Sequence, residues 1–367
     1  LGVSLVERAV MDAFCRAGGL SFGDALRNNA FGIELEWMYP ELAGIEPGEL
    51  LPAKSLDQII VRHTVGLRDA LTDDQISAAE RLDDGLPQSL RACIKRYGLT
   101  HFKIKLGGDV AGDLDRLRGI AWVLEESCGS PWACTLDANE NYRQVGAFRE
   151  LWQRVVNDPT LTPFVSRVLF VEQPLHRDVA LSEDVEHELR GWNDRPAMII
   201  DESGGTLADL PRALECGYGG TSHKNCKGVM KGIGAACFLE WHRRNASAGA
   251  LPGRHWILSA EDLSNTGPVA LVQDLAVVAA LGIDHAERNG HHYFRGLSGW
   301  SRGVQSVVAQ EHSDVYAQHA DGIVALAVAG GRMNVRTVND TPSLGGAATA
   351  EQLDGGGFSD VTASGMP

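Results

Sequence analysis

The chain has 367 residues and a formal net charge of −15, so it offers no basic face for nucleic-acid phosphates, and no polyanion is expected as a partner. Apolar residues make up 44% and charged residues 22%, the balance of a globular protein with room for one large core and a smaller unit. No run of about 18 apolar residues occurs, so no membrane-spanning helix is expected.

The opening "SLVERAVMDAFCRAGG" predicts a helix. Ser4 and Glu7 have capping-box spacing, and Gly18 and Gly19 supply a stop. Leu5, Val6, Ala9, Val10, Ala13 and Phe14 form the stripe expected to be buried. Residues 20–57 show no clear period and read as a linker with short irregular pieces. From residue 58 a rhythm sets in. The strands are "QIIVRHTVG", "HFKIKLGG", "WACTLDANE", "RVLFVEQP", "AMIIDES", "GGTSHKNCKG" and "RHWILSAED", with an eighth near "GIDHAERNG". Helical patterns separate them.

Strands alternating with helices at this spacing mean βαβ units and a parallel sheet. Eight units favour a closed (β/α)8-type barrel, TIM-like, preceded by a partial capping α+β region. The expected division is 1–57 for the partial cap and linker, 58–300 for the barrel, and 301–367 for a return segment and frayed tail. "GGRMNVRTVND" supplies one strand of that return. No G-x-G-x-x-G or P-loop sequence follows any strand, which argues against nucleotide binding.

Seven scattered cysteines form no C-x-x-C pair and read as reduced thiols of a cytoplasmic protein. The sequence opens at Leu1 without the charged and apolar regions of a signal peptide, so none is expected.

Three strands end in an acid: Asp137 in "TLDAN", Glu172 in "LFVEQP" and Asp201 in "MIIDES", 35 and then 29 residues apart. That is about one βα unit each, so the three should converge on one mouth of a barrel. A single strand-end acid is commonly a loop residue. Three together repel unless a hard cation joins them, and Mg²⁺, with Mn²⁺ as the alternative, suits oxygen ligands. Asn139 and Glu202 stand beside them as supporting or alternate ligands.

Two lysines complete the pattern. In "HFKIKLGGD", Lys103 and Lys105 point to the same face of a strand. Alone, K-x-K reads as a solvated strand edge. Beside the acids, Lys105 reads as a base and Lys103 as the cation that lowers its pKa. Lys224 falls at the end of the sixth strand, opposite the second, with Lys227 in the same loop. A metal on a substrate carboxylate would stabilise the enediolate left when a lysine removes the α-proton. Return of the proton by the opposite lysine inverts that carbon, while loss of a β-group gives an alkene.

These motifs, K-x-K, D-x-N at Asp137 and Asn139, "VEQP", "DES" and "HKNCKG", in this order resemble the enolase superfamily, in its mandelate racemase and muconate-lactonizing branch. The resemblance covers roughly residues 1–300. It implies a Mg²⁺-dependent isomerase or lyase, acting as racemase, epimerase, dehydratase or cycloisomerase on a small carboxylic acid. It implies Asp137, Glu172 and Asp201 as metal ligands, with Lys105 and Lys224 as bases. The "A-x-x-D" of the opening helix fits the last helix of the family's capping domain, and a homo-oligomer is the family habit. Three departures stand out. The rest of that capping domain is not in the given sequence. The seventh strand ends in "ILSAEDLSN" rather than a histidine, with His255 at its start, which favours the two-lysine type. No D-x-D follows the eighth strand; Glu287 and His291 are the pocket candidates there, a surface loop being the plainer reading. The competing function is a non-catalytic, metal-binding barrel.

Overall fold

The computed structural model describes residues 2–82, 84–129, 131–246, 256–261, 267–288, 295–319 and 321–346. His255 and His291 lie outside these described residues.

Eight parallel strands form one sheet that curls on itself: β1 (Gln58–Val65), β2 (His101–Lys105), β3 (Ala133–Asp137), β4 (Val168–Glu172), β5 (Met198–Ile199), β6 (Gly220–His223), β7 (Ile257–Ala260) and β8 (His285–Glu287). Their spatial order is β5-β4-β3-β2-β1-β8-β7-β6. The ring closes where Ile200 bridges Thr221, through Ile200 N to Gly220 O at 3.1 Å and Ser222 N to Ile200 O at 3.0 Å. The result is the (β/α)8 barrel that the strand–helix rhythm predicts. Its strands read as near-continuous apolar runs because helices cover one face and the barrel core the other.

Local chemistry sets the joints. The helix α1 spans Gly2–Gly18, and Phe22–Arg27 and Pro47–Leu50 form α2 and α3. Between β1 and β2, α4 (Leu90–Tyr97) is capped by Ser89 and ends at Gly98, whose φ of 65° favours glycine. The Asp109 side chain caps α5 (Val110–Ser127), accepting from Gly112 N. Helices α6 (Val145–Asn157), α7 (Thr162–Val165), α8 (Glu183–Arg190), α9 (Asp209–Cys216), α10 (Val229–Asn245) and α11 (Ala270–Ala280) follow in turn. Where β6 meets β7, Gly220 at φ 156° is required: a Cβ there would lie 1.8 Å from Ile257 O.

After the barrel, β9 (Tyr316–Gln318) and β10 (Val324–Leu326) make a separate hairpin. Strand β11 (Arg332–Asn334) returns antiparallel to β1, with Met333 opposite Ile59. This is the return strand expected from "GGRMNVRTVND". No disulfide joins any of the seven cysteines. No helix among the described residues is long and apolar enough to cross a membrane.

The opening helix differs from expectation on two points. It begins before Ser4, so Ser4 lies inside the helix and does not cap it. Glu7 caps a different helix, accepting from Val229 N and Met230 N of α10 at 2.6 and 2.8 Å. The buried face is also the opposite one. Ser4, Arg8, Met11 and Cys15 are buried, while Val3, Leu5, Val6, Val10 and Phe14 are exposed. The reason is that α1 docks through polar groups with specific partners. Arg8 reaches Gln273 Oε1 at 3.3 Å, and Asp12 accepts from Leu344 N at 3.0 Å.

Candidate active site at the barrel mouth

The register of the sheet brings the strand ends level. Lys105 pairs with Asp137, and Asp137 with Glu172, as neighbours on β2, β3 and β4. Asp201 follows β5 and Lys224 follows β6. Glu261 follows β7, its N–H bonded to His223 O at 3.0 Å. Glu287 ends β8. Seven ionisable side chains from seven strands thus converge at the C-terminal end of the barrel, where TIM-like folds build their sites.

Lys103 sits beneath this ring and is 1% exposed. Its Nζ lies 3.0 Å from Asp137 Oδ2, Glu172 Oε1 and Glu261 Oε2, and 3.2 Å from Glu287 Oε2. Burial alone would lower its pKa. The carboxylates of Glu172, Glu261, Glu287 and Asp137 outweigh that and hold the ammonium well above the lysine range. Lys103 therefore meets four acids as well as facing its neighbour Lys105, and its first effect is to bind β3, β4, β7 and β8 into one network.

The other two lysines reach the ring from opposite walls. Lys105 Nζ donates to Asp137 Oδ2 at 2.5 Å and to Asn139 Oδ1 at 2.8 Å. Lys224 Nζ donates to Asp201 Oδ2 at 2.7 Å and lies 2.9 Å from Glu261 Oε2. Burial acts to lower Lys224, but Glu261 and Asp201 hold it above the ordinary value. That is the reverse of the depression expected from neighbouring cations. Lys227 donates to both Asp201 Oδ1 and Asp201 O. It is thus tied to the site.

The acids respond in different directions. Burial acts to raise Asp137, but Lys103 and Lys105 pull it below its usual value. Glu172 is fully buried and, with Glu261 beside it, is pushed well above the glutamate range. Burial acts to raise Glu261 too, but Lys103 chiefly, then a hydrogen bond with Glu172, then Lys224 and Ser222, hold it well below. Glu202 is raised by burial and by Asp201, and accepts from Asn139 Nδ2 at 3.4 Å. Glu287 lies within the barrel, bonded to Thr64 and Lys103, and not on a surface loop.

Backbone positions at the mouth are unusual. Asn139, Glu140 and Gln173 have φ of 43°, 65° and 37° in the left-handed region. Each is fastened. Asn139 N donates to Asp137 Oδ1 at 2.9 Å, and Glu140 N to Gln173 O at 2.9 Å. Glu140 also receives Arg177 bidentately, at 2.6 Å for Nη2. The buried Gln173 amide joins the β4 and β5 ends. Its Oε1 accepts from Asp201 N at 2.8 Å and Ser203 N at 3.3 Å, and its Nε2 donates to Leu175 O and Ser203 Oγ at 2.6 and 2.8 Å.

The donor set suits a hard divalent cation. Ligand oxygens of Glu172, Asp201 and Glu261, all buried, lie within 4.8 Å of one another. The Oε2 atom of Glu172 is buried and has no hydrogen-bond partner. Sequence reasoning missed Glu261. Its signal is an acid directly after the apolar "ILSA", as at the third, fourth and fifth strands. Gln173 lies within "VEQP", and nothing in the sequence shows what its amide spans.

No family model matches the chain, and no curated protein does. Solved structures do. An isomerase from Streptomyces coelicolor A3(2) superposes with a TM-score of 0.54 at 14% identity, over 95% of this chain and 72% of its own. The N-succinyl Arg/Lys racemase from Bacillus cereus gives 0.52 at 15%, over 84% and 65%. The dipeptide epimerase from Methylococcus capsulatus, complexed with Mg and L-Arg-D-Lys, gives 0.50 at 16%, over 89% and 71%. The fold is that of these racemases and epimerases. It is the fold that the resemblance to the enolase superfamily implies, and the chain spans 65% of the racemase's length.

Proposed function

We propose that the chain removes the proton α to the carboxylate of a small acid, with Mg²⁺ or Mn²⁺ at the acid cluster, and that it acts as a racemase or epimerase. The observation that carries this reading is the placement of Lys105 and Lys224 on opposite walls, each in contact with the same ring of carboxylates. By resemblance the ligands are Asp137, Glu172 and Asp201. A divalent cation held there supplies Lewis-acid stabilisation of the negative charge that grows on the substrate carboxylate.

The chain's own groups divide the remaining work. Lys105 and Lys224 are more exposed than Lys103, at 24% and 13% against 1%. Of the three, they are the two open to a substrate. Lys224, held as an ammonium by Glu261 and Asp201, is set to deliver a proton, and Lys105 accepts one from the other face. Delivery opposite to removal inverts the carbon. Lys103 stays buried and holds its four acids in place. Where the substrate carries a β leaving group, the same intermediate can eliminate instead.

The neighbours direct the first choice of substrate: N-succinyl amino acids and dipeptides, then sugar acids. In D₂O with Mg²⁺, the expected result is exchange of the α-proton, followed by mass spectrometry or NMR, and its loss in Lys105→Ala and in Lys224→Ala. Exchange surviving both substitutions overturns the assignment of bases. Metal binding without exchange across the acids would mark a binding barrel instead.

A further inference from the structure

The two lysines on opposite walls are held in different ways. Lys105 is the last residue of β2 and pairs with Asp137 in the ladder, so the sheet itself sets where its side chain starts. Lys224 lies one residue beyond β6, where the strand has ended, and the 3₁₀ turn Asn225–Lys227 follows it at once. The aim of Lys224 therefore depends on whatever fixes that turn.

His223, the last residue of β6, supplies the fixing group. Its backbone stays in the ring, with His223 O accepting from Glu261 N at 3.0 Å. Ser222 before it points into the barrel, at Glu261, so the His223 side chain points outward, toward α10. The imidazole is 4% exposed and lies so close on α10 that a Cβ at Gly232 would collide with its Nδ1. Its Nε2 lies 3.0 Å from Oδ1 of Asn225, which is buried as well. Asn225 in turn closes the turn: Gly228 N donates to Asn225 O at 3.1 Å, and Lys227 N to Lys224 O at 2.9 Å. One buried imidazole–amide pair thus ties β6 to the turn and packs both against α10. From this turn Lys224 and Lys227 reach Asp201, the first at Oδ2 and the second at Oδ1.

We propose that His223 and Asn225 are positioning residues for Lys224: their contact holds the turn so that the amine faces the acid ring, a task that the sheet performs for Lys105. The use of that amine in proton transfer rests on the function proposed above; its placement by the pair is tested without it.

The test is trace acetylation of the full, metal-free chain with acetic anhydride. The rate at each lysine is read by peptide mass spectrometry against the exposed Lys54. In His223→Leu, Lys224 and Lys227 are expected to react about 2- to 12-fold faster than in wild type, the factor that a net hydrogen bond of about 0.5–1.5 kcal/mol gives. Lys105 is expected to keep its rate, whereas a general loosening of the barrel would speed it equally. Circular dichroism reports whether each variant is folded. Should His223→Leu not fold, Asn225→Ala removes the other half of the pair and is expected to give the same pattern. His223→Gln, which can still offer an amide to Asn225, is expected to restore most of the wild-type protection. Wild-type rates at Lys224 in a folded variant, or an equal gain at Lys105, overturn this inference. The proposed function fails separately: a wild-type chain without α-proton exchange on N-succinyl amino acids and dipeptides overturns that reading, while acetylation still decides what places Lys224. Where exchange occurs, His223→Leu is expected to slow deuterium entry on the face served by Lys224 more than on the face served by Lys105.

Discussion

Lys103 and Glu172 meet at 3.0 Å inside the barrel, one side chain 1% exposed and the other not exposed at all. The contact is one of four that Lys103 makes with acids, so the ammonium is the charge on which Asp137, Glu172, Glu261 and Glu287 all depend. Removing one partner of a buried ion pair costs about 3–5 kcal/mol, because the remaining charge is left uncompensated. Lys103→Met keeps the length of the side chain and removes the charge. It is expected to lower unfolding free energy by an amount in that range, measured by urea denaturation. The loss should be smaller with saturating Mg²⁺ than with a chelator, since a dication bound to the folded chain replaces part of the missing charge.

Gln173 acts on the site without facing a substrate. Its amide bridges Asp201 N, Ser203 and Leu175 O, and so sets where Asp201 emerges from β5. Gln173→Leu leaves those buried groups unpaired, at about 1–3 kcal/mol. Its second effect separates positioning from stability. Mn²⁺ affinity is expected to fall, while a core variant of equal stability loss far from the mouth, such as Phe148→Leu on α6, keeps wild-type affinity. Equal affinities in the two variants would assign Gln173 a purely structural role.

Most of this architecture is legible in the sequence, and the reason is burial on two sides. Val168–Glu172 and Ala133–Asp137 are short apolar runs ending in an acid because the strand packs between helices and barrel core, while its last side chain, buried too, meets the lysines of the mouth. The same rule makes Asp137, Glu172 and Asp201 visible as a set. It would have revealed Glu261 as well, had "ILSAED" been read by burial alone. The opening helix was not legible, because its apolar stripe and its docked face are different faces. Val6 and Val10 are 65% and 62% exposed, whereas Arg8 is buried against α11 through Gln273. A stripe of valines tells which face prefers apolar company, not which face the barrel takes. The role of Lys103 was also hidden, since the four acids around it come from strands scattered over 150 residues of sequence between Asp137 and Glu287, and only the ring closure brings them together.

Glu140 gives the mouth a dependence on pH whose sign can be worked out. The hydrogen bonds from Arg177 hold its carboxyl below the usual glutamate value. A folded-state pKa below the unfolded one contributes stability that is present in full above the unfolded value, about 4.3, and lost as pH falls through the folded one. Arg177 is 55% exposed, so solvent screening keeps the pair weak despite its bidentate geometry. Glu140→Gln is therefore expected to be slightly less stable than wild type at neutral pH. The gap should close as the solution is acidified through the glutamate range, in urea melts at a series of pH values. A gap that is constant with pH would mean that the amide disrupts the left-handed backbone there and not the charge pair.

Glu7 links the opening helix to the barrel through a helix end. The residue preceding α10 is Gly228, which has no side chain to cap it, so the first amides of α10 depend on a group from elsewhere. Glu7 supplies both oxygens, to Val229 N and Met230 N, and its negative charge meets the positive end of the helix. Loss of a good helix cap costs about 0.5–2 kcal/mol. Glu7→Ala is expected to fall in the upper half of that range, because two amides are released at once, and Glu7→Gln to recover part of it, because one oxygen and the geometry remain. Chemical denaturation gives the energies. Hydrogen exchange tells where they act: faster exchange at Val229 and Met230 in Glu7→Ala, with the amides of β3 and β4 unchanged, is the pattern of a lost cap. Faster exchange spread evenly over the barrel would show instead that α1 holds the whole fold, and that its contact with α10 is only one part of that hold.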